Sequence, residues 1–222
     1  MYRTLTVATG TTSPAGFEPI DDPVTACPSR RRKRAVRGGL VMRLVVFGDF
    51  NCPYSCLASS RVDALVESGV ADVEWRAVEH DPSIPAPSEP ADGDVAAALD
   101  REVAEVSGLL RPGERFPIVR PPVHPNSGAA VAAFAAAPAE EAPELRRRLF
   151  GALWFEGRDI GERAVIGDLG RDPHGGAERV WMWRDGWEAL DRRIVPMLVL
   201  PDGYVSRGLG ALARLAELAS TG

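Results

Sequence analysis

The order of apolar and polar positions divides the chain into a short opening, a long middle and a short close. Leu44-Val45-Val46-Phe47 is a continuous apolar run, the pattern of a buried strand in a parallel sheet. Gly48 to Asn51 follow as a turn. Pro53 stands where a helix can open, because proline is tolerated in the first helical turn. Leu57, Val62, Leu65 and Val66 give that helix an apolar face. Val73 to Val78 alternate as a half-buried strand. The opening therefore predicts a strand, a helix and a second strand.

The middle reads differently. Pro82, Pro85, Pro87 and Pro90 mark residues 81–92 as a loop. Helices are predicted over 94–110, 127–136, 141–156, 162–170 and 176–190, with a proline-rich extended stretch over 111–125. In the close, Met197 to Leu200 and Tyr204 to Ser206 flank Pro201-Asp202-Gly203 and read as a β-hairpin. Leu209, Leu212, Leu215 and Leu218 then recur at helical spacing over 209–219. The order is βαβ, a helical block, then ββα. It predicts an α/β domain over residues 43–222 whose sheet is split by a helical insertion at about 93–190.

Residues 1–42 lack either periodicity and are rich in Thr, Pro, Ser and Arg, which reads as a disordered tail. The alternative is a mis-assigned start. The folded pattern begins abruptly at Met42, and Arg37-Gly38-Gly39 can be encoded by the purine-rich stretch expected upstream of a bacterial start codon. The first ten residues lack a charged start followed by an apolar run, so no secretory signal is expected and the expected compartment is the cytoplasm. No run of 18 apolar residues exists, which argues against a membrane-spanning helix.

Charge changes the picture in one respect. The formal net charge is −5. Residues 1–42 hold seven basic and three acidic side chains, so the remainder carries −9. An acidic body argues against a broad nucleic-acid surface, and the run Arg30-Arg31-Arg32-Lys33-Arg34 reads as a solvated tail. Lys33 is the sole lysine; this arginine bias points to GC-rich DNA and a bacterial, actinobacterial-type host.

The candidate chemistry lies at Cys52. A cysteine at the mouth of a helix meets unpaired N–H groups and partial positive charge. These favour the thiolate, so the sequence predicts a lowered thiol pKa and a nucleophile toward disulfides or other electrophiles. The competing reading is a small buried core cysteine. Cys27 falls in the tail and reads as incidental. His80, His124 and His174 are far apart and show no zinc spacing with the cysteines, so no metal site is expected. His80 ends the second strand and reads as a surface histidine. Trp181, Trp183 and Trp187 read as core packing, with a cap over an apolar groove as the alternative.

Phe47-Gly48-Asp49-Phe50-Asn51-Cys52-Pro53-Tyr54-Ser55 resembles the active-site entry of the DsbA-like thioredoxin-fold family, where a Cys-Pro-x-Cys motif follows the first strand. Three further segments agree: Pro125-Asn126-Ser127 before an Ala-rich helix, Leu149 to Ile160 as a helix and turn, and Val195-Pro196-Met197-Leu198-Val199 as a cis-proline loop entering a strand. The resemblance implies a thioredoxin fold with an inserted all-helical subdomain. It implies Cys52 and Ser55 as the catalytic pair of positions. Pro53 and Tyr54 support them, and Val195 and Pro196 offer backbone groups to a bound substrate.

Ser55 departs from the family pattern, which has its second cysteine there. Cys56 follows one residue later as a possible second thiol. Residues four apart on a helix have Cβ atoms about 5–6 Å apart, whereas a disulfide needs about 3.5–4.5 Å. Cys56 therefore reads as a core thiol and the mechanism as monothiol. No tightly bound cofactor is expected. A low-molecular-weight thiol, glutathione or mycothiol, would resolve the mixed disulfide, and the substrates would be small-molecule thiols or disulfides, or protein disulfides. Two other readings compete with thiol–disulfide oxidoreductase. One is a glutathione-type isomerase or transferase, as in the kappa-class transferase and hydroxychromene-carboxylate isomerase branch. That branch has serine at the position of Cys52. The other is a non-catalytic thioredoxin-fold binding module.

Overall fold

The computed structural model describes residues 41–172 and 176–220. The readings made above for residues 1–40 of the tail, its basic run, Cys27, the Arg37-Gly38-Gly39 signal and His174 lie outside these residues. Four strands form one mixed sheet in the order β2-β1-β5-β6. β1 (Met42–Gly48) is central, running parallel to β2 (Ala71–Ala77) and antiparallel to β5 (Met197–Val199). β6 (Val205–Arg207) pairs with β5 and closes the hairpin. Leu44, Val46 and Phe47 of β1 are buried, as a central strand covered on both faces requires.

Helix α1 (Pro53–Ser68) connects β1 to β2. Pro53 opens it without losing a hydrogen bond, and Gly69 ends it in the left-handed conformation. There the Gly69 and Val70 N–H groups donate to the carbonyls of Val66 and Leu65. Helix α7 (Leu209–Ser220) packs beside α1 through Ala211, Leu212, Leu215 and Leu218. Leu209, expected on that face, is instead half exposed, because it begins the helix at the rim of the sheet.

The middle of the chain holds α2 (Gly93–Gly108), α3 (Gly128–Ala136), α4 (Ala142–Trp154), α5 (Arg163–Asp168) and α6 (Ala177–Glu188). Phe50, Phe134, Phe150, Trp75 and Trp183 form an aromatic cluster between this block and the sheet. Its ring centroids lie 4.9 to 5.8 Å apart at tilted or edge-on angles. Trp183 and Trp187 are core residues, whereas Trp181 is 66% exposed. Two proline-rich stretches expected as loop and extended chain do more than connect. β3 (Glu89–Pro90) and β4 (Val123–His124) pair antiparallel in a second, two-stranded sheet. Proline tolerates such an edge ladder because it withholds only its own N–H.

Candidate functional site

The β1–α1 turn carries the site and is tied down from three sides. Trp154 Nε1–H donates to the Phe50 carbonyl at 2.9 Å. The Asn51 side-chain amide donates to the Pro125 carbonyl at 3.2 Å. At Gly48 a Cβ would collide with the Trp75 ring, so glycine lets that ring lie against the end of β1. The segments around Pro125 and Trp154 thus act as struts for the turn before Cys52.

Cys52 is the N-cap residue of α1, with an extended backbone. It is 7% exposed. Its thiol donates to the Val195 carbonyl at a Sγ–O distance of 4.0 Å. The Val195–Pro196 peptide is cis, and both residues are buried. Ser55 is fully buried, and its Oγ accepts the Asp49 N–H at 3.3 Å. That contact leaves the hydroxyl proton free to point at Cys52 Sγ, toward which the Ser55 and Tyr54 N–H groups also point. Tyr54 reaches outward, donating its hydroxyl to Glu105 on α2 at 2.7 Å.

The lowered pKa expected for Cys52 is corrected by this geometry. Burial pushes the thiol up to about 12. The Ser55 hydroxyl and the two N–H groups pull the other way, and the Asp49 charge pushes up further. Helix-end stabilisation is therefore present, as the sequence implies, but desolvation of a closed site outweighs it. Cys56 is 2% exposed, and burial pushes its thiol well up too. Both cysteines are free thiols. The Cys56 N–H bonds to the Cys52 carbonyl as the first regular turn of the helix, so the two side chains sit one full turn apart.

One feature escaped the sequence reading. Asp49 is wholly buried. Its Oδ1 accepts the Asn51 N–H at 3.2 Å, and its Oδ2 accepts the His80 N–H at 2.8 Å and contacts His80 Nδ1 at 2.8 Å. His80 is therefore not a free surface histidine, although 37% of its side chain remains exposed. The Asp49 hydrogen bond raises its pKa above the ordinary histidine value. His124, carried on β4, lies within electrostatic reach of His80 and Asp49, and burial lowers its pKa. The aspartate in the turn after the first strand and the histidine at a strand end were visible in the sequence. Their 31-residue separation gave no reason to join them. Among the described residues no group of three or more His, Cys, Asp or Glu side chains is arranged to hold a metal ion. Nor is any helix there long and apolar enough to cross a membrane.

A parallel strand–helix–strand unit, a cysteine at the head of the helix and an X-Pro loop facing its sulfur define a thioredoxin-fold protein with a helical insertion. Residues 43–175 match the model of the DSBA-like thioredoxin domain, and the chain belongs to that family. The fold is shared with a probable DsbA oxidoreductase from Streptomyces coelicolor. That match has a TM-score of 0.63 and 16% identity, over 81% of this chain and 89% of that one. A 2-hydroxychromene-2-carboxylate isomerase matches at TM-score 0.55 and 20% identity, over 81% and 96% of the two chains. The cytosolic disulfide reductase DsbM from Pseudomonas aeruginosa, solved with GSH, matches at TM-score 0.53 and 19% identity, over 81% and 96%. No curated protein matches the sequence.

Proposed function

We propose that the protein is a monothiol disulfide reductase in which Cys52 exchanges disulfides with a low-molecular-weight thiol such as glutathione or mycothiol. The observation that carries this is the set of donors around one sulfur. The Ser55 hydroxyl and the N–H groups of Tyr54 and Ser55 point at Cys52, opposite the Val195 carbonyl. No second cysteine stands three residues after Cys52, because position 55 is serine.

The chemistry runs in two exchanges. The Cys52 thiolate attacks the carrier-thiol sulfur of a mixed disulfide, and the substrate sulfur leaves as a thiolate and takes up a proton. A second carrier thiolate then attacks the carrier sulfur bound to Cys52, forming the carrier disulfide and releasing Cys52. Two electrons pass from the carrier thiols to the substrate. Strong thiol oxidants owe their potential to a stabilised reduced thiolate. Burial of Cys52 works against a thiolate, which favours reduction as the direction. Such a cycle suits a compartment rich in small thiols, and we place the protein in the cytoplasm on that ground. The cytosolic location and GSH in the DsbM structure concern that protein, and they suggest the probe to use here.

The test is incubation of the full chain with oxidised glutathione, followed by peptide mass analysis. One glutathione on Cys52, removed by reduced glutathione with turnover of a mixed-disulfide substrate, is the expected result. The second reading, a binding module, is favoured by the closed and weakly acidic state of Cys52. A Cys52 that stays unmodified up to pH 9 would establish that reading instead.

A further inference from the structure

The buried carboxylate behind Cys52 has a titratable partner, and the reaction as written uses neither. Asp49 and Cys52 are the two ends of one tight turn, with the Cys52 N–H donating to the Asp49 carbonyl at 3.2 Å. The Asp49 carboxylate has no exposure to water. Among the described residues, Asp49 pairs with His80, whose Nδ1 lies 2.8 Å from Oδ2. His80 Nδ1 is committed to Asp49 as a donor, so the proton that comes and goes is the one on Nε2. That exchange leaves the Nδ1–H to Oδ2 hydrogen bond in place and changes only the charge of the pair.

We propose that His80 is a positioning residue whose charge, relayed through the buried Asp49 carboxylate, controls how readily Cys52 releases its proton. With His80 neutral, Asp49 presents an uncompensated negative charge to the sulfur and opposes a thiolate. With His80 protonated, the pair is neutral and the opposition is lifted. The screening by water that weakens surface pairs is reduced here because Asp49 is enclosed.

Other charged groups face His80 from each element around it. Asp81 follows it in the chain and Glu102 approaches from α2; both favour its charged form. Glu102 in turn feels Glu105 and Arg101 on the same helix, and Glu105 accepts the Tyr54 hydroxyl. His124 on β4 is the opposing group. Burial and the charge of His80 lower its pKa, whereas the Asp49 hydrogen bond raises that of His80, so the pair of histidines favours the charge on His80.

The inference rests on Cys52 being the reactive thiol, and its test separates the two claims. The measurement is the rate of Cys52 alkylation by iodoacetamide from pH 5 to 9.5, followed on the Cys52 peptide by mass spectrometry. For an uncoupled thiol of high pKa, the logarithm of the rate rises with unit slope. Coupling to His80 predicts a flattened step in the wild type, centred on the His80 imidazole midpoint measured by NMR. His80→Asn keeps an N–H donor for Asp49 without the charge. It should give a single straight line that joins the wild-type curve at high pH. At low pH it should lie below that curve by about tenfold, the effect of roughly one pKa unit. In an Asp49→Asn background, His80→Asn should add nothing further. A straight wild-type line with a reactive Cys52 overturns this inference alone, as does a step displaced from the His80 midpoint. A Cys52 unreactive across the whole range overturns it together with the proposed function. The wild-type profile decides the matter even where a variant fails to fold.

Discussion

Cys52 and Cys56 lie one helical turn apart, are both buried and both have thiols pushed upward, yet they occupy different kinds of place. Around Cys56 the causes are burial and the charge of Cys52 alone. Around Cys52 the same burial meets a hydroxyl, two backbone N–H groups and a facing carbonyl. The difference is that a helix has free donors only at its first turn. One turn deeper, the same amino acid is packing material. Burial alone thus says little about reactivity; the donors left pointing at the atom decide what it does once water or substrate reaches it.

The largest expected effect breaks the comparison outright. Cys52→Ser should abolish mixed-disulfide turnover with glutathione, whereas Cys56→Ser should keep most of it. Equal loss in both, measured on folded variants, would make Cys56 a resolving thiol.

Position 55 sharpens the contrast. Its hydroxyl points at Cys52 Sγ, so Ser55→Cys should form a disulfide with Cys52 in an oxidising buffer. The potential should lie at roughly −120 to −270 mV, the span of thioredoxin-fold oxidoreductases. Redox titration with mass detection checks this, and a variant that stays fully reduced would show that the two side chains do not meet. Ser55→Ala should slow Cys52 alkylation by about tenfold, as one hydrogen bond to the thiolate is lost, and leave Cys56 unchanged.

A smaller effect concerns the strut under the turn. Trp154→Phe removes the donor to the buried Phe50 carbonyl. The cost should be about 1–3 kcal/mol in denaturant unfolding, the penalty of an unpaired buried acceptor. The smallest effect concerns pH. The folded pKa of His80 is raised, so its pairing with Asp49 stabilises the fold fully below the unfolded value of about 6.5. That advantage fades as pH rises through the higher folded value. The stability difference between wild type and His80→Asn should shrink from pH 5.5 to 8.5; a constant difference would show that the charge of His80 does not contribute.

The elements were legible because their periods are strong. The apolar run before Gly48, Pro53 after Cys52, and the leucines of α7 each obey a local rule, and the structure places them within a few residues of expectation. The two-residue strands β3 and β4 are too short for any period to register, and their prolines read as loop. The sign of the Cys52 shift was illegible for another reason. Helix position is a local property that sequence carries, whereas enclosure by Val195 and the helical block is a property of the assembled fold. The Asp49–His80 pair is hidden in the same way, since a buried carboxylate in a turn looks in sequence like any solvated aspartate.

Cys56 has a use that follows from having no chemistry of its own. A label can reach it only when the buried face of α1 around Cys56 leaves its packing, so its modification rate times that excursion. Where reclosing is fast, the rate measures the free energy of the opening; where labelling outpaces reclosing, it measures the opening rate itself. The protein thus contains a native gauge of local unfolding four residues from its reactive sulfur. Comparing the two labelling rates in one sample would show whether substrate reaches Cys52 through a small movement of the site or through a loosening of the helix that carries it.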